Sequence, residues 1–302
     1  MTLLSRFAFL LGVLVLGFLG RRFGVLTVPV TERLNKVAFY VVLPALVFNS
    51  TYDVSVSTLL SPTVVAGQLL LMAAIVVIAW LVHRRIEDRG KRGVAIAQSY
   101  HGNMGYLGLP IVATTLGDAS AGTASVILTV GVLTHVPLTV FFLTVVTNAE
   151  ADMLQEMRKV LYNPVLLGIA AGMLVSFLDL SIPGAAATTV ATLSAVALPI
   201  ALLLVGSSLK GNLPKGEFGT LGTVIALKLL VMPLLAWGIY GALGVSSSAF
   251  AAAVMMFGAP TAISTYIYSE ELGGDSKFAS RTIFLSTLLW TGTVFVLLAL
   301  VG

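Results

Sequence analysis

Cysteine is absent from the 302-residue chain, and charged side chains make up only 10% of it. The lack of cysteine excludes disulfides and thiolate metal sites, and the three histidines, His83, His101 and His135, are too scattered to form a metal cluster. A soluble domain carries roughly a quarter charged residues, whereas 58% of this chain is hydrophobic. The composition predicts an integral membrane protein without a cofactor. The net charge of +4 indicates membrane topology rather than nucleic-acid binding.

Ten apolar stretches reach the length of about 20 residues that a helix needs to cross a bilayer. Short breaks separate them, and no break is long enough for a soluble domain. The first stretch ends in Gly20-Arg21-Arg22 rather than in a small-residue cleavage site, so it is predicted to be a retained helix. The predicted helices 1 to 10 cover residues 4–20, 34–51, 59–83, 93–116, 119–146, 160–178, 186–209, 217–243, 246–269 and 278–301.

The basic residues lie on one side of this predicted topology. Of the 17 Lys and Arg residues, all but Arg6 and Lys228 lie in or beside the odd-numbered loops. Loops rich in Lys and Arg stay in the cytoplasm. The sequence therefore predicts a multi-pass protein of the cell (plasma) membrane with both termini outside the cytoplasm.

Three short segments of the first half recur in the second half at an offset of about 155 residues. Because five helices is an odd number, the second half would enter the membrane from the opposite face. Inverted repeats of this kind are typical of secondary transporters. The matched pairs are Leu43-Pro44-Ala45-Leu46 with Leu198-Pro199-Ile200-Ala201, Ala79-Trp80 with Ala236-Trp237, and Leu116-Gly117-Asp118 with Leu272-Gly273-Gly274-Asp275.

Helices 4 and 9 carry helix-breaking residues at corresponding positions. Helix 4 contains three glycines and a proline between Gly102 and Pro110, and helix 9 contains Gly258-Ala259-Pro260-Thr261. Paired breaks in two repeats indicate a substrate site. A half-helix restarting at Pro260 would offer free N–H groups to a carboxylate, and carbonyl ends would suit a cation. The alternative is that the glycines only allow close helix packing.

At these residues the chain resembles the auxin efflux carrier family. Its sequence is more similar to the prokaryotic organic-anion permeases of that family than to the plant carriers. The resemblance covers essentially the whole chain. The segments that carry it are Leu34 to Pro44, Gly102 to Pro110, Leu198 to Leu209, and Pro260 to Tyr266.

The resemblance implies the all-α fold of the bile-acid sodium symporters, a 5+5 inverted repeat in which the broken helices 4 and 9 cross. Helices 1, 2, 6 and 7 would form a scaffold from residues 1–55 and 149–213, the latter including a cytoplasmic loop. Helices 3–5 and 8–10 would form a moving transport domain from residues 56–148 and 214–302. Homodimers would form through the scaffold, and the crossover would hold the substrate.

By the same resemblance, Asn103 matches the family's crossover asparagine and Pro260 its crossover proline. The chain departs from the plant pattern at Gly102, which replaces a proline, and in helix 3, where Gln68 stands in a segment that lacks the plant members' acidic residue. The long cytoplasmic loop of many plant members is also absent. Auxin transport, proton coupling through that acid and loop phosphorylation are therefore not implied.

Most of the candidate site residues lie at or near the two breaks, whereas Lys228 lies in helix 8 and Gln68 in helix 3. Lys228 could attract an anion or balance charge, or it could be a structural tie to a carbonyl or helix C-terminus. His101 could carry a proton or be held by hydrogen bonds in the bundle, His135 is interpreted as structural, and Gln98 as a tie between helices. The substrate-binding candidates are Gly102, Asn103, Tyr106, Pro260, Thr261, Ala262, Ser264 and Lys228, and the ion-coupling candidates are His101, Gln68 and Thr265.

The predicted function is secondary active transport of a small organic anion, a mono- or dicarboxylate, by elevator-like alternating access coupled to Na⁺ or H⁺. The absence of a mid-helix carboxylate favours Na⁺ held by carbonyls and hydroxyls, while His101 keeps H⁺ open. The alternative cargoes are a bile-acid-like amphipath or a cation. An intramembrane enzyme would need a nucleophile with its base, paired aspartates or a metal, and a sensor would need an output domain; neither pattern is visible.

Overall fold

The computed structural model describes residues 3–53, 61–149, 155, 158, 161–208 and 218–301. These residues are mostly helical, and the extended pairing among them is limited to one isolated bridge. The helices are α1 (Leu3–Arg22), α2 (28–49), α3 (Pro62–His83), α4a (Arg89–Gln98), α4b (Met104–Thr115), α5 (Asp118–Thr147), α6 (Pro164–Phe177), α7a (Gly184–Ala195), α7b (Ala197–Ser208), α8 (Phe218–Ala242), α9a (Ser247–Phe257), α9b (Ser264–Glu271) and α10 (Ser276–Val301).

Five of these helices are long and apolar enough to cross a membrane: α3, α5, the segment Gly184–Ser207, α8 and α10. The prediction of a helical membrane protein is confirmed at this level, while the count of ten spans stays a prediction. Parts of the predicted third and sixth helices and of the loops lie outside the described residues. Lys159, Lys210 and Lys215 are among the residues that are not described.

The predicted helices 4 and 9 are both interrupted near the predicted breaks, but the boundaries of the interruptions differ from the prediction. In helix 4 the interruption is at residues 99–103, and Pro110 lies inside α4b. In helix 9 the second half begins at Ser264 instead of Pro260, so the predicted restart was wrong by four residues. The cause is the partner segment, because residues 260–262 run extended to pair with residues 101–103.

Three of the described helices contain a five-residue π turn: Ala38–Val42 in α2, Met104–Gly108 in α4b and Leu227–Val231 in α8. In each case the second residue after the turn is a proline, namely Pro44, Pro110 and Pro233. Proline has no N–H to donate to the carbonyl four residues earlier, and the residue before it instead bonds five residues back. Each wide turn places its side chains next to the site described below.

The helices pack in two groups. In the first group α1 runs along α7b, and α2 packs against α6 and α7a. Gly17 and Gly206 allow the closest approach, since a Cβ on either would collide with the backbone of Leu203 or Leu14. In the second group α5 packs against α4a and α9a, and α8 packs against α3 and α9a. A cavity lies between the groups, so their arrangement positions the site.

Candidate functional site at the helix crossing

The interruptions of helices 4 and 9 cross each other and are joined by backbone hydrogen bonds. Gly102 and Thr261 form an antiparallel bridge. Asn103 N donates to the Pro260 carbonyl at 2.7 Å, and Ala262 N donates to the His101 carbonyl at 2.9 Å. The two linkers therefore satisfy each other's backbone groups, as interrupted helices must when they are buried away from water.

Gly102 packs closely against the side chain behind it, that of Lys228. A Cβ built on Gly102 would lie 2.9 Å from Lys228 Cε and 3.1 Å from Lys228 Nζ. Any larger residue, including the proline of the plant pattern, would press against the lysine. The departure from the plant pattern at this position therefore has a local steric reason.

A cavity of about 500 Å³ opens beside the crossing. Residues of α2 and α6 form one wall, and the crossing linkers, α4b, α5 and α9b form the other. None of the described residues that line it is Asp or Glu. Its lining includes the polar side chains of Asn35, Lys36, His101, Asn103, Tyr106, His135, Asn163, Ser264 and Tyr268.

Several hydrogen-bond donors at the cavity have no partner among the described residues. The backbone N–H groups of Gly105, Ile263 and Ser264 lie at the starts of α4b and α9b and donate to no described oxygen. The Asn103 side chain is 5% exposed, and its Oδ1 accepts the Tyr106 N–H at 3.3 Å. The Asn103 Nδ2 group makes no hydrogen bond to a described residue, so it can donate to a bound solute. Both helix N-termini also carry partial positive charge, so the crossing is suited to an anion.

The structure brings five of the eight substrate-binding candidates to the cavity wall: Gly102, Asn103, Tyr106, Ala262 and Ser264. Tyr106 also donates its hydroxyl to Asn35 Oδ1 at 2.8 Å, which links α4b to α2 across the cavity. Pro260 and Thr261 are buried behind the wall, where Thr261 N donates to Ser286 Oγ at 3.3 Å. These two residues shape the crossing through their backbone.

Lys228 is the third candidate that does not line the cavity. It is fully buried, and its ammonium donates to the Phe257 carbonyl at 2.7 Å and contacts Met232 Sδ at 3.2 Å. Phe257 is the last residue of α9a, so the charge lies at the negative end of that helix. This contact is the structural tie to a carbonyl at a helix C-terminus, which was one of the roles that the sequence allowed for Lys228.

The ion-coupling candidates differ in position. His101 lines the cavity, with Nδ1 2.8 Å from Thr139 Oγ1. Gln68 is buried, donates to the Ile127 carbonyl at 3.0 Å and has an unpaired Oε1. Thr265 is buried beside Gln98, whose Nε2 donates to Thr265 Oγ1 at 2.9 Å and to the Ala279 carbonyl at 3.1 Å. These bonds confirm Gln98 as a tie between helices.

His135, which the sequence predicted to be structural, also lines the cavity. Its ring is 2% exposed, lines the cavity and lies 5.3 Å from the ring of His101, centroid to centroid. The two histidines are 34 positions apart, one in the linker of helix 4 and one on α5, so no local pattern could have paired them. Among the described residues, no group of three or more His, Asp or Glu could hold a metal ion.

A helical membrane protein with a cavity at the crossing of two interrupted helices has the features of a membrane carrier. The comparisons with known proteins agree. A family model described as membrane transport protein matches residues 2–298, and the chain belongs to that family, that of the auxin efflux carriers.

Similar proteins occur in archaea and bacteria. A protein of Methanothermobacter thermautotrophicus named "Uncharacterized transporter" is 26% identical over 92% of this chain and 91% of its own length. A protein of Rhizobium meliloti named "Putative malonate transporter" is 26% identical, with 95% of each chain covered. A further transporter, from Methanocaldococcus jannaschii, is 24% identical over 91% of each chain. These names support the function class that the fold and the site indicate.

Proposed function

We propose that this protein is a secondary active transporter of a small organic anion, a carboxylate, coupled to Na⁺ or H⁺. The observation that carries the proposal is the cavity at the helix crossing. Its described lining contains no Asp or Glu, and three backbone N–H groups and Asn103 Nδ2 have no described partner there. A carboxylate could accept from these donors, and no acidic side chain would repel it.

The cavity mouth adds a positive charge to these donors. Lys36 is exposed on α2 and lines the cavity, together with Asn35. A charge at the entrance raises the local concentration of oppositely charged solutes. A dicarboxylate could place one group at the crossing and the other toward Lys36. The relative named for malonate transport suggests malonate as the first compound to test.

The proposed mechanism is elevator-like alternating access. The group of α1, α2, α6 and α7 would be the scaffold, and the remaining helices the transport domain. Two observations support this division: the helices pack in these two groups, and the cavity lies between them. The bond between Tyr106 and Asn35 joins the two groups and would have to break during transport. A homodimer through the scaffold belongs to the same proposal.

The proposed topology has ten spans in a 5+5 inverted repeat, with both termini outside the cytoplasm of a plasma-membrane protein. The antiparallel direction of the Gly102–Thr261 bridge is what an inverted repeat requires of its two crossing segments. Lys36 and Asn163 lie beside the predicted cytoplasmic loops. In this topology the cavity would therefore open to the cytoplasm.

Cysteine labelling tests the topology, because the chain has no cysteine of its own. Arg85 and Ser181 are both exposed, in the loops after α3 and α6. From outside intact cells, an impermeant maleimide should label Ser181→Cys and leave Arg85→Cys unmodified until the membrane is opened. Equal labelling of both before opening would contradict the topology and leave the carrier function standing.

Uptake into liposomes tests the function. Purified protein should accumulate labelled malonate, acetate or succinate under an inward Na⁺ gradient or an inward H⁺ gradient, applied separately. Protein-free liposomes and liposomes with dissipated gradients are the controls. Accumulation of a cation or of a neutral solute, with no carboxylate taken up, would refute the anion assignment.

One observation favours a second cargo in the same fold. The cavity is also lined by apolar side chains, among them Phe39, Leu43, Leu128 and Ile267. A larger amphipathic carboxylate of the bile-acid type could lay its apolar body against them. Competition with labelled malonate decides the matter, since an amphipath that is the true cargo should inhibit at lower concentration than acetate or succinate.

A further inference from the structure

Two histidines from different parts of the fold meet at the cavity. His101 belongs to the linker between α4a and α4b, and His135 lies on α5. Their ring centroids are 5.3 Å apart, and both rings line the cavity, with 6% and 2% of their residue surfaces exposed. The cavity therefore holds two imidazole rings, and imidazole is the side chain whose unperturbed pKa lies nearest to neutral pH.

The contacts of His135 leave one ring nitrogen ready to take a proton. Its Nε2 lies 2.9 Å from Met72 Sδ. A thioether sulfur has no hydrogen to donate, so Nε2 carries the hydrogen and Nδ1 presents its lone pair. Among the described residues Nδ1 has no partner. His101 is held at both nitrogens instead, by Thr139 Oγ1 at 2.8 Å and Ser264 Oγ at 3.4 Å.

The groups around the pair do not supply a counter-charge in the empty cavity. The facing groups on the packed elements are Lys228 from α8 behind Gly102, Lys36 and Tyr40 on α2, Tyr100 beside the linker, Tyr106 on α4b and Tyr268 on α9b. None of the described residues lining the cavity is acidic. A proton on the pair would thus be buried without a negative partner and close to a lysine, which disfavours the charged form.

We propose that the His101–His135 pair takes up one proton together with each carboxylate. The inference rests on the proposed function and names its coupling ion, since the bound carboxylate is the missing counter-charge. The proton comes from water on the open side, binds Nδ1 of His135 and leaves with the substrate on the other side. Two protons are excluded, because imidazolium rings this close repel each other.

Coupling of this kind is reciprocal. If the carboxylate raises the proton affinity of the pair, the proton must raise the carboxylate affinity by the same factor. Binding should therefore weaken as pH rises through the proton affinity of the occupied site. Above that point the dissociation constant should rise about tenfold per pH unit, because one proton is linked to one substrate.

Calorimetry on the purified full chain measures the proton directly. Malonate, acetate and succinate are titrated at about pH 7 in buffers of different ionisation enthalpy, and the tightest binder is followed to about pH 9. Carboxylates stay ionised throughout this range, so a proton taken up must bind to the protein. We expect uptake approaching one proton per substrate at about pH 7, with affinity falling as pH rises.

Histidine variants locate the proton. His135→Gln and His101→Gln should still bind the carboxylate, more weakly, with proton uptake lost or greatly reduced and a flatter pH profile. His83→Gln is the matched control, because His83 contacts Ser99 at 3.0 Å and does not line the cavity. Its proton uptake should match that of the unmodified protein. Thermal unfolding checks that each variant is folded.

The outcomes separate this inference from the proposed function. Carboxylate binding by the unmodified protein without proton uptake, at an affinity that does not change with pH, would overturn the proton site and leave anion transport intact. Full proton uptake in folded His135→Gln and His101→Gln would also overturn it. If none of the carboxylates binds or is transported, both proposals fall.

Discussion

The two interrupted helices cross at one point, but they contribute different kinds of group. The interruption of α4 carries His101 and Asn103, whose polar side chains line the cavity. The interruption of α9 carries Pro260 and Thr261, which are buried behind the wall. From α9 the site receives mainly backbone, namely the Pro260 carbonyl that holds Asn103 and the N–H groups of Ile263 and Ser264.

The C-terminal ends of the two half-helices α4a and α9a, which precede the interruptions, also differ. The last carbonyl of α9a, that of Phe257, accepts a hydrogen bond from the Lys228 side chain at 2.7 Å. The last carbonyl of α4a, that of Gln98, accepts from the Thr261 hydroxyl at 3.4 Å, and from no other group among the described residues. We infer that changes in α4 should alter which solute binds, whereas changes in α9 should alter the geometry of the crossing.

The largest effect is expected at Asn103. Asn103→Asp should abolish carboxylate uptake, because it sets a carboxylate against a carboxylate in a site without acidic residues. Asn103→Ala should raise the apparent substrate constant about 10- to 150-fold, since losing a hydrogen bond to a charged group costs about 1.5–3 kcal/mol. Concentration-dependent uptake in liposomes measures both. Normal carboxylate uptake by Asn103→Asp would remove this residue from the site.

A smaller but broader effect is expected at Pro260. Pro260→Ala supplies an N–H and relaxes the fixed backbone angle, so α9a can extend into the linker and disturb the pairing with Asn103. We expect the maximal transport rate and the substrate affinity to fall together, each by roughly tenfold. A small displacement of the groups that position a bound molecule has effects of that order or more. A loss of affinity alone would mean that α9 acts as α4 does, and the contrast between the helices would fail.

Lys228→Met tests the charged end of α9a. Methionine keeps the length of the stem and removes the ammonium, so the Phe257 carbonyl loses its donor. We expect several-fold slower uptake, with arginine rescuing only in part because the space beside Gly102 is tight. Gly102→Ala should show the same defect in milder form. Normal uptake and normal thermal unfolding of Lys228→Met would show that the tie is dispensable.

The smallest effect on transport is expected at Gln98. Gln98 is the last residue of α4a and ties that helix to Thr265 and Ala279, and it does not line the cavity. Gln98→Ala should lower the free energy of unfolding by about 1 kcal/mol and change the substrate constant by less than about twofold. A tenfold change in that constant would place Gln98 in the binding site.

Much of the fold could be predicted because the signals are local. Apolar runs of about 20 residues and scarce charge identify a membrane protein, and the helix breakers near Gly102 and Pro260 identify the two interrupted helices. The predicted restart at Pro260 was wrong because the linker's extended path is set by hydrogen bonds to residues 101–103. Backbone pairing between segments about 160 residues apart leaves no trace in either segment alone.

The sequence by itself determined the class of protein, the places where two helices had to break, and the polar residue, Asn103, that one break carries. Only the tertiary structure decided what faces the cavity. In the structure, Lys228 contacts the end of α9a instead of the cavity, and His135 lies beside His101. The donors at the starts of α4b and α9b have no described partners. The physical reason is that burial, charge pairing and proton sharing depend on distances between helices, and local sequence patterns do not specify those distances.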